Sequence, residues 1–169
     1  RKVCIVTDSH VAPLYLKEIA NLCCSIASKV VHFVFEAGEE NKHLGVIENI
    51  YEKLILEKFD RKDYIIALGG GVTGDMAGYA AATYLRGIDF IQLPTTLLSQ
   101  VDSSIGGKTG VDFRKFKNMV GAFHQPALVY MNLNTLKTLD DRQLSAGMAE
   151  VIKHGLIKNT AYYEWIRSN

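Results

Sequence analysis

Residues Asp63–Leu68 run almost without polarity into Gly69-Gly70-Gly71, and a stretch of small residues follows from Thr73 to about Tyr84. A short apolar run rich in branched side chains is what a strand buried on both faces looks like. Glycines directly after it, followed by helix formers, mark a strand-to-helix junction of an α/β layer. That junction constrains the fold more than any other feature. A strand buried on both faces needs paired neighbours at its sides and helices above and below.

Candidate neighbours are present. Val3–Thr7, Val30–Phe35, Phe90–Leu93 and Ala127–Leu133 read as further strands. Pro13 suits the first turn of a helix that continues through Leu14, Leu16, Ile19, Ala20 and Leu22. Leu44–Lys58 carries an apolar stripe of Ile47, Ile50, Tyr51, Leu54 and Ile55. Glu36–Lys42 reads as a loop, and Thr95 or Thr96, after Pro94, caps another helix. Gly106–Asn118 reads as a loop with basic residues at Lys108, Arg114, Lys115 and Lys117. Gln143–Ile166 reads as one long helix, with a break expected near Gly155. Alternating strands and helices with short links predict a Rossmann-like α/β fold, mostly parallel, with flanking helices. The expected division is an α/β domain over 1–139 and the start of an α-helical domain over 140–169. The chain begins at Arg1 without Met, and its last helix has no partner after it, which suggests a trimmed portion of a longer protein.

Composition narrows the classes. Apolar residues make up 48%, enough for a packed core. The 19 Lys and Arg nearly cancel the 18 Asp and Glu, so no electrostatic case exists for nucleic acid or an anionic membrane. No apolar run is long enough to span a bilayer, and no signal peptide is visible. Three cysteines, Cys4, Cys23 and Cys24, lack the spacing of a disulfide framework. They point to a reducing, cytoplasmic compartment and to small core residues.

Three segments carry chemistry. Gly69-Gly70-Gly71-Val72-Thr73-Gly74-Asp75 sits where a helix start presents free amides to a diphosphate. A tight turn with close packing at Gly74 and Gly78 is the alternative. Pro94-Thr95-Thr96 ends a strand at the edge where open α/β sheets bind ligands, and Val101–Thr109 follows. Its Gly-Gly-Lys-Thr is not an ATP loop, because that spacing needs glycine where Asp102 stands. Lys108 among glycines suits an anionic substrate, and a solvated loop lysine is the alternative. On the long helix, Glu150, Lys153 and His154 share a face. A surface Glu–Lys pair would look the same. Ala146, Gly147 and Ala149 point instead to tight packing, and Glu150 to a metal ligand. One carboxylate and one histidine fall short of a catalytic zinc set.

Taken in order, these segments resemble the 3-dehydroquinate synthase family, a group of sugar phosphate cyclases. The resemblance rests on Gly69–Asp75, Tyr84-x-Arg86-Gly87, Gln92-x-Pro94-Thr95-Thr96-Leu97-Leu98 and Val101–Thr109. Lys117-Asn118, Gly121-x-Phe123, Leu136–Leu139 and Ala149-Glu150-x-x-Lys153 complete it. It implies that NAD is surrounded by Asp8, His10, Glu39, Lys42, Gly70, Gly71, Val72, Asp75, Thr95 and Thr96. Lys108, Lys117, Thr135 and Thr138 would join that cleft. Arg86, Asp102, Lys108, Asn118 and Lys153 would face a sugar phosphate substrate. Glu150 would be the metal ligand from this part of the chain, for zinc or cobalt, with two histidines from a following helical domain. The implied reaction converts 3-deoxy-D-arabino-heptulosonate 7-phosphate to 3-dehydroquinate and phosphate, an early step towards aromatic amino acids. A homodimer is also implied, and the 169 residues alone are expected to be inactive.

Three positions depart from the family pattern. Phe116 stands where glycine is usual, Asp112 replaces Asn, and Asp140-Asp141-Arg142-Gln143 replaces a Pro-rich turn. Three other readings compete. A different sugar phosphate cyclase shares the scaffold. A metal-dependent alcohol dehydrogenase shares the glycine-rich turn but gives no reason for Asp102-Ser103-Ser104 beside Gly107-Lys108-Thr109. A non-catalytic NAD-binding module is the third.

Overall fold

A computed structural model describes the whole chain, Arg1 to Asn169. Its centre is a five-stranded sheet in the order β2-β1-β3-β4-β7, parallel throughout. The strands are β1 (Lys2–Asp8), β2 (Lys29–Phe35), β3 (Tyr64–Gly69), β4 (Asp89–Pro94) and β7 (Leu128–Val129). A separate antiparallel pair is formed by β5 (Lys108–Phe113) and β6 (Phe116–Phe123). The helices are α1 (Lys17–Cys24), α2 (Leu44–Leu56), α3 (Gly71–Thr83), α4 (Asp141–Lys158) and α5 (Thr160–Ser168).

The period-2 alternation of the strands sorts side chains onto two faces. Cys4, Val6, Ile65 and Ala67 point to one face, where Ile47, Ile50 and Leu54 of α2 and Met76, Ala77 and Ala80 of α3 cover them. Val3, Ile5, Ile66 and Leu68 point to the other, where α1 packs with Cys23, Ile19 and Ala20. Small residues on α3 let it lie close. A Cβ at Gly78 would sit 2.5 Å from the Thr109 methyl, so α3 and β5 can touch only through glycine there.

Four local expectations change. Gly106–Asn118 is not a loop, because most of it forms the β5–β6 hairpin. Its turn is Arg114-Lys115, with Arg114 at a φ of 56°, so these two and Lys117 gather near the tip while Lys108 stands at the hairpin's open end. The strand expected over Ala127–Leu133 shortens to Leu128–Val129 at the sheet edge, and a 3₁₀ turn occupies Leu133–Thr138. The long helix breaks at Asn159, whose side chain accepts from the Tyr162 amide at 3.0 Å and so starts α5. Gly155 instead serves packing, since a Cβ there would meet the Tyr163 backbone at 3.0 Å. Finally, Cys4 and Cys23 are core residues but Cys24 is exposed. Burial pushes the Cys4 thiol up to about 12.

Candidate functional site

The carboxyl ends of β1, β3 and β4 open into a cleft of about 670 Å³. Three local devices build it. At the end of β1, Asp8 Oδ1 accepts from the amides of His10 and Val11, both at 3.0 Å, and Oδ2 accepts from the Thr73 hydroxyl at 3.1 Å. At the end of β3, Gly70 is the N-cap of α3 and offers no side chain to the first amides of that helix. Those amides are therefore free for an anion. A Cβ at Gly71 would lie 3.0 Å from Ser103 Oγ, so the backbone passes close to the neighbouring helical turn. At the end of β4, Thr96 Oγ1 accepts from the Ser99 amide at 3.1 Å and starts the turn that carries Asp102 and Ser103. Thr96, not Thr95, is the cap.

Twelve of the residues expected around a cofactor line this cleft. They are Asp8, His10, Glu39, Lys42, Gly70, Gly71, Val72, Asp75, Thr95, Thr96, Thr135 and Thr138. Lys117 reaches its rim, with Nζ 3.2 Å from Glu39 Oε1. The exposed Phe116 beside it does not prevent that contact. Thr135 Oγ1 accepts from buried Gln100 Nε2 at 3.1 Å. The Thr138 hydroxyl meets Tyr15 Oη at 2.5 Å, closing one wall. The alternative of close packing around the glycines also holds, since Gly74 lies against Gln92 and Gly78 against Phe90.

A second cavity of about 520 Å³ lies beside the first, and both are lined by Asp75 and Ser103. Asp102, Lys108 and Asn118, three of the residues expected to face substrate, line it. Lys108 lines this cavity and not the first cleft. Lys153 is near, with Nζ 3.4 Å from Asp102 Oδ1, and it pairs with Glu150 on its own helix. Hydrogen bonding to Glu150 and then the charge of Asp102 hold the Lys153 ammonium above its ordinary value. Gly147 explains how α4 arrives there. A Cβ at that position would lie 2.5 Å from the Leu97 side chain, so the helix rests directly on the β4–β5 connection.

Arg86 is the exception. It precedes β4, in the 3₁₀ turn Tyr84–Arg86, and so sits at the amino end of the sheet while both cavities open at the carboxyl end. Within one copy of the chain it does not face the second cavity.

The wall between the cavities is ionic. Lys42 is only 4% exposed. Its Nζ lies 2.7 Å from Asp75 Oδ2 and donates to Asn118 Oδ1 at 2.6 Å. Burial pushes the Asp75 carboxyl above its ordinary range, against the pull of Lys42, while Glu39 and Asp112 add to the rise. Asn118 reaches Lys42 because β6 bulges there, with Asn118 at a φ of 55°. Asparagine tolerates that conformation better than most residues.

Side chains of Asp102, Glu150 and His154 bring one ligand atom each to within 4.8 Å of one another. Two oxygens and an imidazole nitrogen suit a divalent cation such as zinc. Glu150 was expected there. His154 was placed on the same helix face without being named a ligand, and Asp102 was not expected there, because it is distant in sequence and only the packing of α4 brings it close. Tyr15 and Ser103 were likewise missed. Tyr15 gives no sequence signal, whereas Ser103 lies within a segment already marked by its neighbours.

A family model described as 3-dehydroquinate synthase N-terminal matches residues 32–146. A 3-dehydroquinate synthase of Hydrogenovibrio crunogenus is 54% identical over 168 residues, which is 99% of this chain and 46% of that protein. The chain thus spans about half the length of the curated relatives it matches. Among solved structures, it is similar to 2-deoxy-scyllo-inosose synthase complexed with carbaglucose-6-phosphate, NAD+ and Co2+. The identity is 35% and the TM-score 0.88, over 92% of this chain and 43% of that one. It is similar also to a 2-epi-5-epi-valiolone synthase from Streptomyces hygroscopicus with NAD+ and Zn2+ bound. There the identity is 34% and the TM-score 0.88, over 94% of this chain and 44% of that one.

Proposed function

This chain belongs to the 3-dehydroquinate synthase family, and we propose that it is the NAD-binding part of such an enzyme, acting on 3-deoxy-D-arabino-heptulosonate 7-phosphate. The observation that carries the reading is the cleft at the uncapped start of α3, where twelve residues expected around NAD converge. Residues 1–139 form the cofactor domain in this reading, and 140–169 begin the helical region that completes the metal and substrate site.

Both groups fit the residues present. The free amides of α3 would hold the diphosphate, and the Asp8, Glu39 and Asp75 carboxylates would accept from ribose hydroxyls. Glu150, with Asp102 and His154 close by, offers hard oxygen and nitrogen donors to a divalent cation. When bound, NAD supplies a hydride acceptor and donor, and the cation a Lewis acid at the hydroxyl being oxidised.

The chain's own side chains do the rest. Lys108 and Asn118 hold the anionic groups of the substrate in the second cavity. Asp75 and Ser103 stand on the boundary of the two cavities, where the reacting carbon must meet the nicotinamide. Lys153 keeps its proton, being held by Glu150 and Asp102, and donates hydrogen bonds to substrate oxygens. The identity to 3-dehydroquinate synthases, above half, exceeds the 35% to 2-deoxy-scyllo-inosose synthase and favours the keto acid phosphate.

Calorimetric titration of NAD into the chain tests the cofactor reading. One site with a dissociation constant in the micromolar range, about −8 kcal/mol, is expected. A folded chain that takes up no NAD would overturn it.

A further inference from the structure

Lys42 occupies a place that cofactor binding alone does not explain. A lysine buried to this degree is stable only when its charge is fully paired. Its two strong partners differ in the cavities they line. Asp75 lines both, and Asn118 lines only the second. The backbone repeats the link, because the Asp112 amide donates to the Lys42 carbonyl at 2.8 Å. Asp112 Oδ1 in turn accepts from the Asn118 amide at 2.7 Å. The turn that carries Lys42 is therefore tied to the hairpin at two points, one of them spanning 76 residues of sequence, and a third bond within the hairpin holds Asn118 to Asp112.

We propose that Lys42 is a positioning residue that couples the two cavities, fixing Asp75 for the cofactor and Asn118 for the substrate through one ammonium group. This rests on the cofactor reading above. The geometry has a direct consequence. Asn118 does not line the cofactor cleft, yet removing its side chain leaves the Lys42 ammonium short of one partner and frees it to pull Asp75 out of place. Asp112 is part of the same device, because its side chain holds the bulge that aims Asn118.

The test is a double-mutant cycle on NAD affinity, measured by calorimetry on the chain. Asn118→Gly keeps the positive φ and removes only the side chain. It should weaken NAD binding about fivefold. In a Lys42→Met background the same change should have no further effect, and in a Lys42→Arg background it should again weaken binding. Simple loss of packing would give additive effects in every background. If wild-type chain binds NAD and Asn118→Gly binds it equally well, the coupling is wrong and the cofactor reading stands. If wild-type folded chain does not bind NAD, both fall. If Lys42→Met does not fold, Asp112→Ala replaces it. That variant should weaken NAD binding and abolish the further effect of Asn118→Gly, and additivity there overturns the proposal.

Discussion

Two carboxylates, Asp63 buried and Asp75 half-buried, stand at opposite ends of the same sheet, and they are treated in opposite ways. Asp63, before β3, accepts from the Lys2 amide at 2.7 Å and the Asp60 amide at 2.8 Å. Burial opposes its ionisation, but those amides and the Lys2 charge outweigh it and hold the carboxyl below its ordinary value. Asp75, in the first turns of α3, has Lys42 as its ion-pair partner, and burial wins. The chain satisfies the first carboxylate with its own backbone. It leaves the second facing two cavities with lone pairs free for a ligand. A fully hydrogen-bonded acid serves stability, and an incompletely bonded one in a cleft serves binding.

The largest effect that would sharpen this contrast is at the structural end. Asp63→Ala leaves two amides without their acceptor and should cost about 3 kcal/mol in urea unfolding. The folded variant should bind NAD as before, and a change in affinity would break the separation of roles. At the cleft, Asp75→Asn keeps an acceptor for Lys42 while removing the charge. NAD affinity should fall about tenfold, or about 1.4 kcal/mol, with a smaller loss of stability than at Asp63. Equal loss at both sites would mean that Asp75 is structural too.

The smallest effect is a pair of opposite pH slopes. The folded value of Asp63 is lowered, so its contribution is present above the ordinary carboxylate range, near 3.9, and is lost as pH falls through the folded value. The folded value of Asp75 is raised, so its contribution is present below that range and is lost as pH rises through the folded value. Unfolding curves from pH 3 to 7 for wild type, Asp63→Asn and Asp75→Asn should show the two differences moving in opposite directions. Parallel differences would remove the contrast.

The sheet and the cleft at its carboxyl edge were legible because they depend on local pattern. The β3 run, the three glycines and the paired threonines each declare a strand end, and strand ends in a parallel sheet share an edge. The hairpin was not legible. Its strands carry Gly110, Gly121, Lys117 and Asn118 in place of an unbroken alternation of branched residues, so composition pointed to a loop. The place of Arg86 in the fold was not legible, because its motif fixes a sequence position and not an end of the sheet. The approach of Asp102 to Glu150 and His154 depends on how α4 settles on the β4–β5 connection, a tertiary fact with no local signature. Asn159 outdid Gly155 as the helix break because a capping side chain starts a new helix, whereas a glycine in mid-helix only weakens the old one.

Gly110 and Gly121 lie opposite each other in the hairpin, and a Cβ on either would come within 3.1 Å of the other's Cα. Each would also strike backbone, Val120 O for the one and Thr109 O for the other. No compensating substitution can relieve a clash with main chain. The two positions are therefore blocked to mutation independently of each other, and changing both together opens no path. The part of the second cavity that these glycines hold together is closed to drift. Variation in that cavity is left to lining side chains such as Ile105, Met119 and Phe123.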